Sequence, residues 1–260
     1  MLMKRLILAS VLFFLAVEIV LAAPVLAFTP FGTRLLHDLV PPPSPSPTPI
    51  LTVRGTPPAM SSQAAYLLDA ETGHVLVDVQ GERRLPMAST TKIMTAIADA
   101  VAGTTSKFVQ TMNLFARRLH LIQTHYINPD GLTYLTPQGK PDPNQYTTTA
   151  DLAHLARSAM ANPFFAQLVE LQHYVLPASA VHHAYTWDSI NTLLSTYPGA
   201  SGIKTGFTVE AGYCLVFAAT NGGHHLLGAL LHEPDANQRF ADARALLDWG
   251  FALPLEPPAS

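Results

Sequence analysis

The sequence has little charge and almost no cysteine, and these two shortages exclude several classes of protein. Charged residues make up 13% of the 260 residues and the net charge is −3, whereas nucleic-acid-binding domains usually carry a basic patch. The single cysteine, Cys214, excludes an internal disulfide framework. Because Cys214 lies in the apolar run Tyr213 to Phe217, we predict a buried core residue rather than a reactive thiol.

The sequence also lacks internal repeats and metal-ligand spacings. The doublets His182-His183 and His224-His225 have no cysteine or acidic partners at the separations that zinc sites use. We therefore predict no bound metal.

The first 28 residues have the pattern of an export signal. The pair Lys4-Arg5 precedes an apolar run from Leu6 to Val17, and small residues follow between Ala22 and Ala27. This order is typical of a secretory signal peptide. An uncleaved membrane anchor over the same residues is the alternative. In both cases we expect an exported protein, extracytoplasmic and either in the cell wall or tethered to the membrane.

Residues 29–60 are predicted to form a linker. Eight prolines lie between Pro41 and Pro58, which favours extended polyproline II geometry over helix or sheet. Two interpretations of this segment are equally compatible with the sequence: a spacer of roughly 50 Å, or a tether with no required length. The folded domain is expected to span residues 61–255.

Hydrophobic periodicity places strands at both ends of this domain and helices between them. The predicted strands are Ala64–Ala70, His74–Val79, Gly202–Phe207, Gly212–Thr220 and His224–His232. The predicted helices are Ala88–Val101, Lys107–Leu119, Thr149–Met160 (capped by Thr149), Pro163–Val169 and Ala236–Phe251. The order predicts an α+β fold, an antiparallel sheet built from both termini with an inserted helical region.

The first chemical motif is Ser89-Thr90-Thr91-Lys92. Residues three apart on a helix lie on one face, so the amine of Lys92 can reach the hydroxyl of Ser89. A serine becomes a nucleophile when a neighbouring base takes its proton, and desolvation or a nearby cation can lower a lysine pKa enough for that role.

The second motif is Lys204-Thr205-Gly206 on a predicted strand. A lysine, a hydroxyl and a bare glycine form a cationic strand edge that a carboxylate and a peptide can approach closely. An ordinary edge strand with a protective lysine is the alternative for this motif alone.

Together and in order, these motifs and their flanks resemble one family. The stretches Leu85–Thr95 and Gly202–Thr208 are similar to those of serine D-Ala-D-Ala carboxypeptidases, the low-molecular-mass penicillin-binding proteins. Further similar stretches are Leu67–Gly73, Asn128–Leu132, Tyr146–Leu152 and Asn191–Leu194. The resemblance covers about Ser61 to Phe251 and implies a β-lactamase/transpeptidase-like fold with a truncated helical region.

The resemblance also implies catalytic roles. Ser89 would be the acylated nucleophile and Lys92 its general base. The backbone N–H groups of Ser89 and Phe207 would form the oxyanion hole.

The substrate-binding residues implied in the same way are Lys204, Thr205, Gly206 and Phe207. Lys204 and Thr205 would bind the terminal carboxylate of a peptidoglycan D-Ala-D-Ala stem peptide, and β-lactams would act as inhibitors. No cofactor and no nucleic-acid partner are implied, and membrane contact would involve only the N-terminal segment.

One element of the family is not found. Members carry a Ser-x-Asn motif several dozen residues after the lysine. Here Ile97 runs directly into Ala98–Gly103, a stretch that resembles the family's residues just after that motif. An internal deletion is therefore expected. Two segments match loosely, Tyr126-Ile127-Asn128 and Ser189-Ile190-Asn191, and we interpret both as chance matches.

These patterns support three hypotheses about function. The first is an exported D,D-carboxypeptidase, impaired by the loss of Ser-x-Asn. The second is a non-catalytic protein that binds peptidoglycan peptides or penicillin. A class A β-lactamase is a weaker third, because no acidic residue lies in a convincing deacylation context.

Overall fold

The computed structural model describes residues 49–98 and 105–256. The predicted signal segment and most of the predicted linker lie outside these residues. Within them, no helix combines the length and apolar character that crossing a membrane requires.

A five-stranded antiparallel sheet forms the centre of the domain, in the order β3-β2-β8-β7-β6. Its strands are β2 (Ala64–Asp69), β3 (Val75–Val79), β6 (Ala200–Thr208), β7 (Gly212–Asn221) and β8 (His224–Glu233). Strand β2 pairs with β8, with Tyr66 opposite Ala229, so the two ends of the domain meet at the middle of the sheet. The predicted α+β architecture is confirmed, and β6 is an edge strand of this sheet.

Both faces of the sheet are covered. Alternate residues of β7 belong to two separate apolar clusters, with Cys214 and Val216 in one and Leu215 and Phe217 in the other. Side chains alternate across a strand, so this division places one cluster on each face. Cys214 is buried, as predicted, and burial raises the pKa of its thiol to about 12.

The helices are α1 (Lys92–Ala98), α2 (Thr105–Arg118), α3 (Thr149–Met160), α4 (Pro163–Glu170), α5 (Leu193–Thr196) and α6 (Gln238–Phe251). The predicted helix Ala88–Val101 begins as a 3-10 turn, Ala88–Thr91, and its last three residues lie outside the described part of the chain. Buried residues of α1, α2 and α3 belong to one apolar cluster and those of α6 to the other.

Thr148, and not Thr149, caps helix α3. The Thr148 side chain accepts a hydrogen bond from the backbone N–H of Asp151 at 3.0 Å. Thr149 instead has a helical position, and its hydroxyl donates to the carbonyl oxygen of Gly81. In a run of three threonines the pattern alone does not separate these two roles.

Replacing Thr148 with alanine is expected to lower the free energy of unfolding by about 1–2 kcal/mol, because an N–H at the start of α3 loses its acceptor. The half-buried Thr111 on α2, whose hydroxyl donates to the Lys107 carbonyl oxygen within the helix, is the matched control. We expect Thr111→Ala to change stability by no more than about 0.5 kcal/mol. Equal unfolding midpoints in urea for the two variants would contradict the capping role.

Two short strand pairs and one short helix were not predicted. Strand β1 (Ile50–Leu51) pairs with β9 (Leu255–Glu256), so part of the predicted linker is an ordered strand with a buried Leu51. Strands β4 (His173–Leu176) and β5 (Tyr185–Asp188) form a separate hairpin. The short helix is α5, a single turn ahead of β6.

Candidate active site

Ser89 lies on the 3-10 turn that leads into α1. Two hydroxyl groups of this turn, those of Thr90 and Thr91, donate to the carbonyl oxygens of Met87 and Ala88. Ala88 has φ +46°, in the left-handed region that a non-glycine residue rarely occupies. The turn before α1 is therefore held in a definite, locally strained conformation, as is common at functional sites.

The side chains of Ser89 and Lys92 are in contact. Lys92 Nζ lies 3.0 Å from Ser89 Oγ, within hydrogen-bond distance. Side chains three positions apart are eclipsed in a 3-10 turn, which explains how the spacing produces the contact. The predicted juxtaposition is thus present in the structure.

A second contact holds Lys92 from the other side. Its ammonium group donates to the backbone carbonyl oxygen of Asp130 at 2.6 Å. The neighbouring Pro129 carbonyl accepts a hydrogen bond from the Thr95 hydroxyl, also at 2.6 Å. The loop 128–131 is therefore fastened to α1 at two successive turns.

The loop 128–131 is shaped by Asn128 and Gly131. Asn128 Oδ1 accepts from the Gly131 N–H at 2.7 Å, and its Nδ2 donates to the Leu132 carbonyl oxygen at 2.9 Å. Gly131 has φ +78°, and a Cβ there would lie 1.8 Å from the Ala88 carbonyl oxygen. Sequence reasoning matched this stretch to the family but assigned it no role; the Asn-Pro-Asp-Gly turn was the available signal.

Lys204 of β6 shares a cleft of about 140 Å³ with Lys92. The remaining lining is apolar and comes from α1, α4 and β6: Ile93, Ala96, Phe165, Leu168, Val169 and Ile203. The Lys204 ammonium group donates to the backbone carbonyl oxygen of Thr205 at 2.8 Å. Two lysines of separate motifs thus line one predominantly apolar cleft.

The pKa values of both lysines are lowered. Burial lowers the pKa of Lys92, and the nearby Asp130 carboxylate partly opposes this. Burial, followed by the positive charges of Lys92 and Arg239, lowers the pKa of Lys204 to about 8. Both shifts favour the neutral amine, the form in which a lysine can accept a proton.

The rest of the second motif packs against the turn of Ser89. A Cβ added at Gly206 would lie 3.0 Å from the Ser89 backbone nitrogen, so β6 passes close to the serine because position 206 has no side chain. Thr205 is buried, whereas Phe207 is half exposed and stacks on Tyr213. The structure thus places these predicted residues beside the Ser89–Lys92 pair.

Arg239 was not anticipated from the sequence. Its guanidinium group donates to the Gly206 carbonyl oxygen at 3.2 Å and is one of the charges acting on Lys204. The sequence around Arg239, near the start of α6, has no pattern that predicts a contact with a strand residue 33 positions earlier.

The two loose Ser-x-Asn matches have other positions. Ser189 and Asn191 line a separate cavity with His173 and Asp188. Asn128 is buried and uses its side-chain amide to shape the 128–131 loop. Among the described residues, neither asparagine amide has a hydrogen bond to Lys92.

Comparison with known proteins gives a consistent set of relatives. Residues 95–234, just over half of the chain, match the family described as D-alanyl-D-alanine carboxypeptidase. A D-alanyl-D-alanine carboxypeptidase of Streptomyces sp. (strain K15) is 36% identical over 156 residues, covering 58% of this chain and 51% of the relative. DacB2 of Mycobacterium tuberculosis, which has the same description, is 35% identical over 155 residues, covering 58% and 50%. The chain thus spans about half the length of these curated relatives.

The fold comparison agrees with the sequence comparison. The crystal structure of the Streptomyces K15 DD-transpeptidase superposes with a TM-score of 0.68 and 27% identity, covering 76% of this chain and 100% of the other. The family match begins at Thr95, three residues after Lys92, and includes the whole of β6. The chain belongs to the D-alanyl-D-alanine carboxypeptidase family.

Proposed function

We propose that this protein is a serine-type D-Ala-D-Ala carboxypeptidase that acts on peptidoglycan stem peptides through an acyl-enzyme on Ser89. The observation that carries the proposal is the 3.0 Å contact between Ser89 Oγ and Lys92 Nζ, together with the apolar cleft that Lys92 shares with Lys204. Family membership and the activity in the names of the relatives support the same reaction.

In the proposed acylation step, Ser89 Oγ attacks the carbonyl carbon of the penultimate D-alanine. Neutral Lys92 takes the hydroxyl proton, and the backbone N–H groups of Ser89 and Phe207 stabilise the oxyanion. The C–N bond then breaks and D-alanine leaves with a proton. Each oxyanion donor contributes roughly 3–4 kcal/mol in comparable enzymes.

The substrate carboxylate is assigned to Lys204 with Thr205. A charged Lys204 attracts this carboxylate, and its positive charge also favours the neutral form of Lys92. Water then hydrolyses the ester on Ser89 and regenerates the enzyme. The proposed reaction thus requires Lys92 to be neutral and Lys204 to be charged, although both lysines line the same cleft.

A non-catalytic binding protein is the second candidate, and one contact favours it. Lys92 donates to the Asp130 carbonyl oxygen as well as approaching Ser89, and hydrogen bonds to a charged group favour the charged form. A lysine that stays protonated is not a base. The predicted loss of Ser-x-Asn points in the same direction and stays a prediction.

Covalent labelling by a fluorescent penicillin distinguishes the two functions. We expect the wild type to be labelled and Ser89→Ala to be unlabelled, because the acyl group has no other attachment point in the proposal. Ser158→Ala, which removes a hydroxyl that donates within α3, is the matched control and should label like the wild type. Release of D-alanine from a peptide ending in D-Ala-D-Ala then measures turnover.

Labelling without D-alanine release would support a nucleophile with little turnover. An unlabelled but cooperatively melting wild type would overturn the catalytic proposal. In that case, binding of the D-Ala-D-Ala peptide, measured by calorimetry, would support the binding function.

A further inference from the structure

Helix α4 carries none of the motif residues, yet it provides half of the apolar lining of the catalytic cleft. Three of its side chains, Phe165, Leu168 and Val169, line the cleft together with Lys92 and Lys204. Phe165 is buried in the core, whereas Leu168 is 38% exposed. Leu168 is therefore the α4 side chain that lies both at the cleft and at its border with water.

Helix α4 also lies close to β6. A Cβ added at Gly202 of β6 would lie 2.9 Å from Val169 Cγ2, so α4 packs closely on the strand that carries Lys204. Asn162 caps α4 and Pro163 begins it, which holds the helix start in place. The side of α4 that lines the cleft is thus a fixed surface facing β6.

We propose that Leu168 is a positioning residue of the proposed reaction: it limits the access of water to Lys92 and Lys204 and so keeps the amine of Lys92 available as a base for Ser89. The inference rests on the proposed function of Ser89 and Lys92. In this inference, a helix that carries no motif residue limits the amount of water in the cleft.

The charged groups that act on the two lysines come from other elements. Asp130 of the 128–131 loop acts on Lys92, and Lys92 and Arg239 act on Lys204. These groups remain unchanged when Leu168 is replaced. An asparagine at position 168 has the same number of side-chain heavy atoms as leucine and brings water and a polar amide to the cleft. The charged forms of both lysines then become more favourable.

The first measurement is the reactivity of individual lysines towards acetic anhydride at pH 8, followed by peptide mass spectrometry. Only neutral amines react, and the exposed Lys140 is the internal reference. We expect Leu168→Asn to lower the reactivity of Lys204 relative to Lys140 at least threefold. A loosened or opened cleft would have the opposite effect, because better access raises reactivity.

The second measurement is the pH dependence of penicillin labelling. We expect Leu168→Asn to label roughly 10-fold more slowly than the wild type at pH 7 and to approach the wild-type rate near pH 9.5, since one pKa unit is a factor of ten in neutral amine. Leu168→Met should retain the wild-type profile. Leu171→Asn is the matched control, because Leu171 is 43% exposed at the end of α4 and does not line the cleft.

The outcomes separate this inference from the proposed function. If the wild type is not labelled at any pH, the proposed function fails, and the acetylation measurement still tests Leu168. If Lys204 reactivity and the pH profile are the same in Leu168→Asn, Leu171→Asn and the wild type, the role of Leu168 is overturned. A rate loss that is equal at all pH values would likewise overturn it and indicate a merely structural residue.

Discussion

Replacing Gly131 with alanine is expected to lower the free energy of unfolding by at least 3 kcal/mol and to slow penicillin labelling by roughly 100-fold or more. The added Cβ would lie 1.8 Å from the Ala88 carbonyl oxygen and 2.8 Å from Thr91 Oγ1. Relief of this overlap requires the 128–131 loop to move away from the turn of Ser89. The Asp130 carbonyl oxygen then leaves Lys92, and the turn of Ser89 loses its support.

Gly139 provides the control for this experiment. It has φ +72°, close to the φ of Gly131, but a Cβ there would have nothing within 4 Å. Gly139→Ala therefore measures the cost of the left-handed backbone alone, about 1–2 kcal/mol. Urea unfolding and labelling rates should separate the two variants clearly. Similar losses in both would show that backbone conformation, and not contact with the turn of Ser89, determines the effect.

Replacing Glu233 with glutamine is expected to stabilise the protein at alkaline pH. Glu233 is fully buried at the end of β8, and burial together with the nearby Asp242 carboxylate raises its pKa to about 8. Asp242 keeps two donors of its own, the Ser61 N–H and the Gln238 side-chain amide, each at 2.6 Å. Glu233 is the carboxyl whose pKa is raised, so the proton is assigned to it.

The direction of the pH effect follows from this raised pKa. The folded protein binds the proton more tightly than the unfolded chain, in which the carboxyl has its usual pKa of 4.5. The free energy of unfolding of the wild type therefore falls as the pH rises from about 4.5 through about 8, by roughly 3–5 kcal/mol at most. Glu233→Gln mimics the protonated group and should lack this fall.

Urea unfolding at pH 5, 7 and 9 tests the expectation. The difference in unfolding free energy between Glu233→Gln and the wild type should grow in favour of the variant with each step in pH. Glu256→Gln, which removes an exposed carboxylate paired with Arg54, should change stability by less than about 1 kcal/mol at all three. Parallel pH curves for Glu233→Gln and the wild type would contradict a buried proton on Glu233.

Patterns that depend on neighbouring residues were predictable from the sequence. The 3.6-residue period placed α3 at Thr149–Met160, as observed, and strand alternation placed β7 and β8 to within one residue at one end. The Ser89–Lys92 contact followed from a spacing of three. In each case the periodicity of one element is sufficient, and the buried faces of the sheet supply the free energy that selects it.

Features that depend on distant contacts or on exposed elements were not predictable. The hairpin β4–β5 is largely exposed, and each of its strands has only four residues, the shortest run over which alternation can indicate a strand. The bond from Lys92 to the Asp130 carbonyl joins backbone and side chain 38 positions apart. This bond forms because Asn128 and Gly131 shape the 128–131 loop. No periodic pattern in the sequence predicts the shape of that loop.

The burial of Cys214 has a practical consequence for spectroscopy. Its thiol is inaccessible and its pKa is raised to about 12, so at neutral pH almost no thiolate is present to attack a maleimide reagent. A second cysteine introduced at an exposed position, such as Leu171 at the end of α4, would then be the only site that takes up a dye or spin label. Distances and motions near the cleft could be followed without first removing the native cysteine.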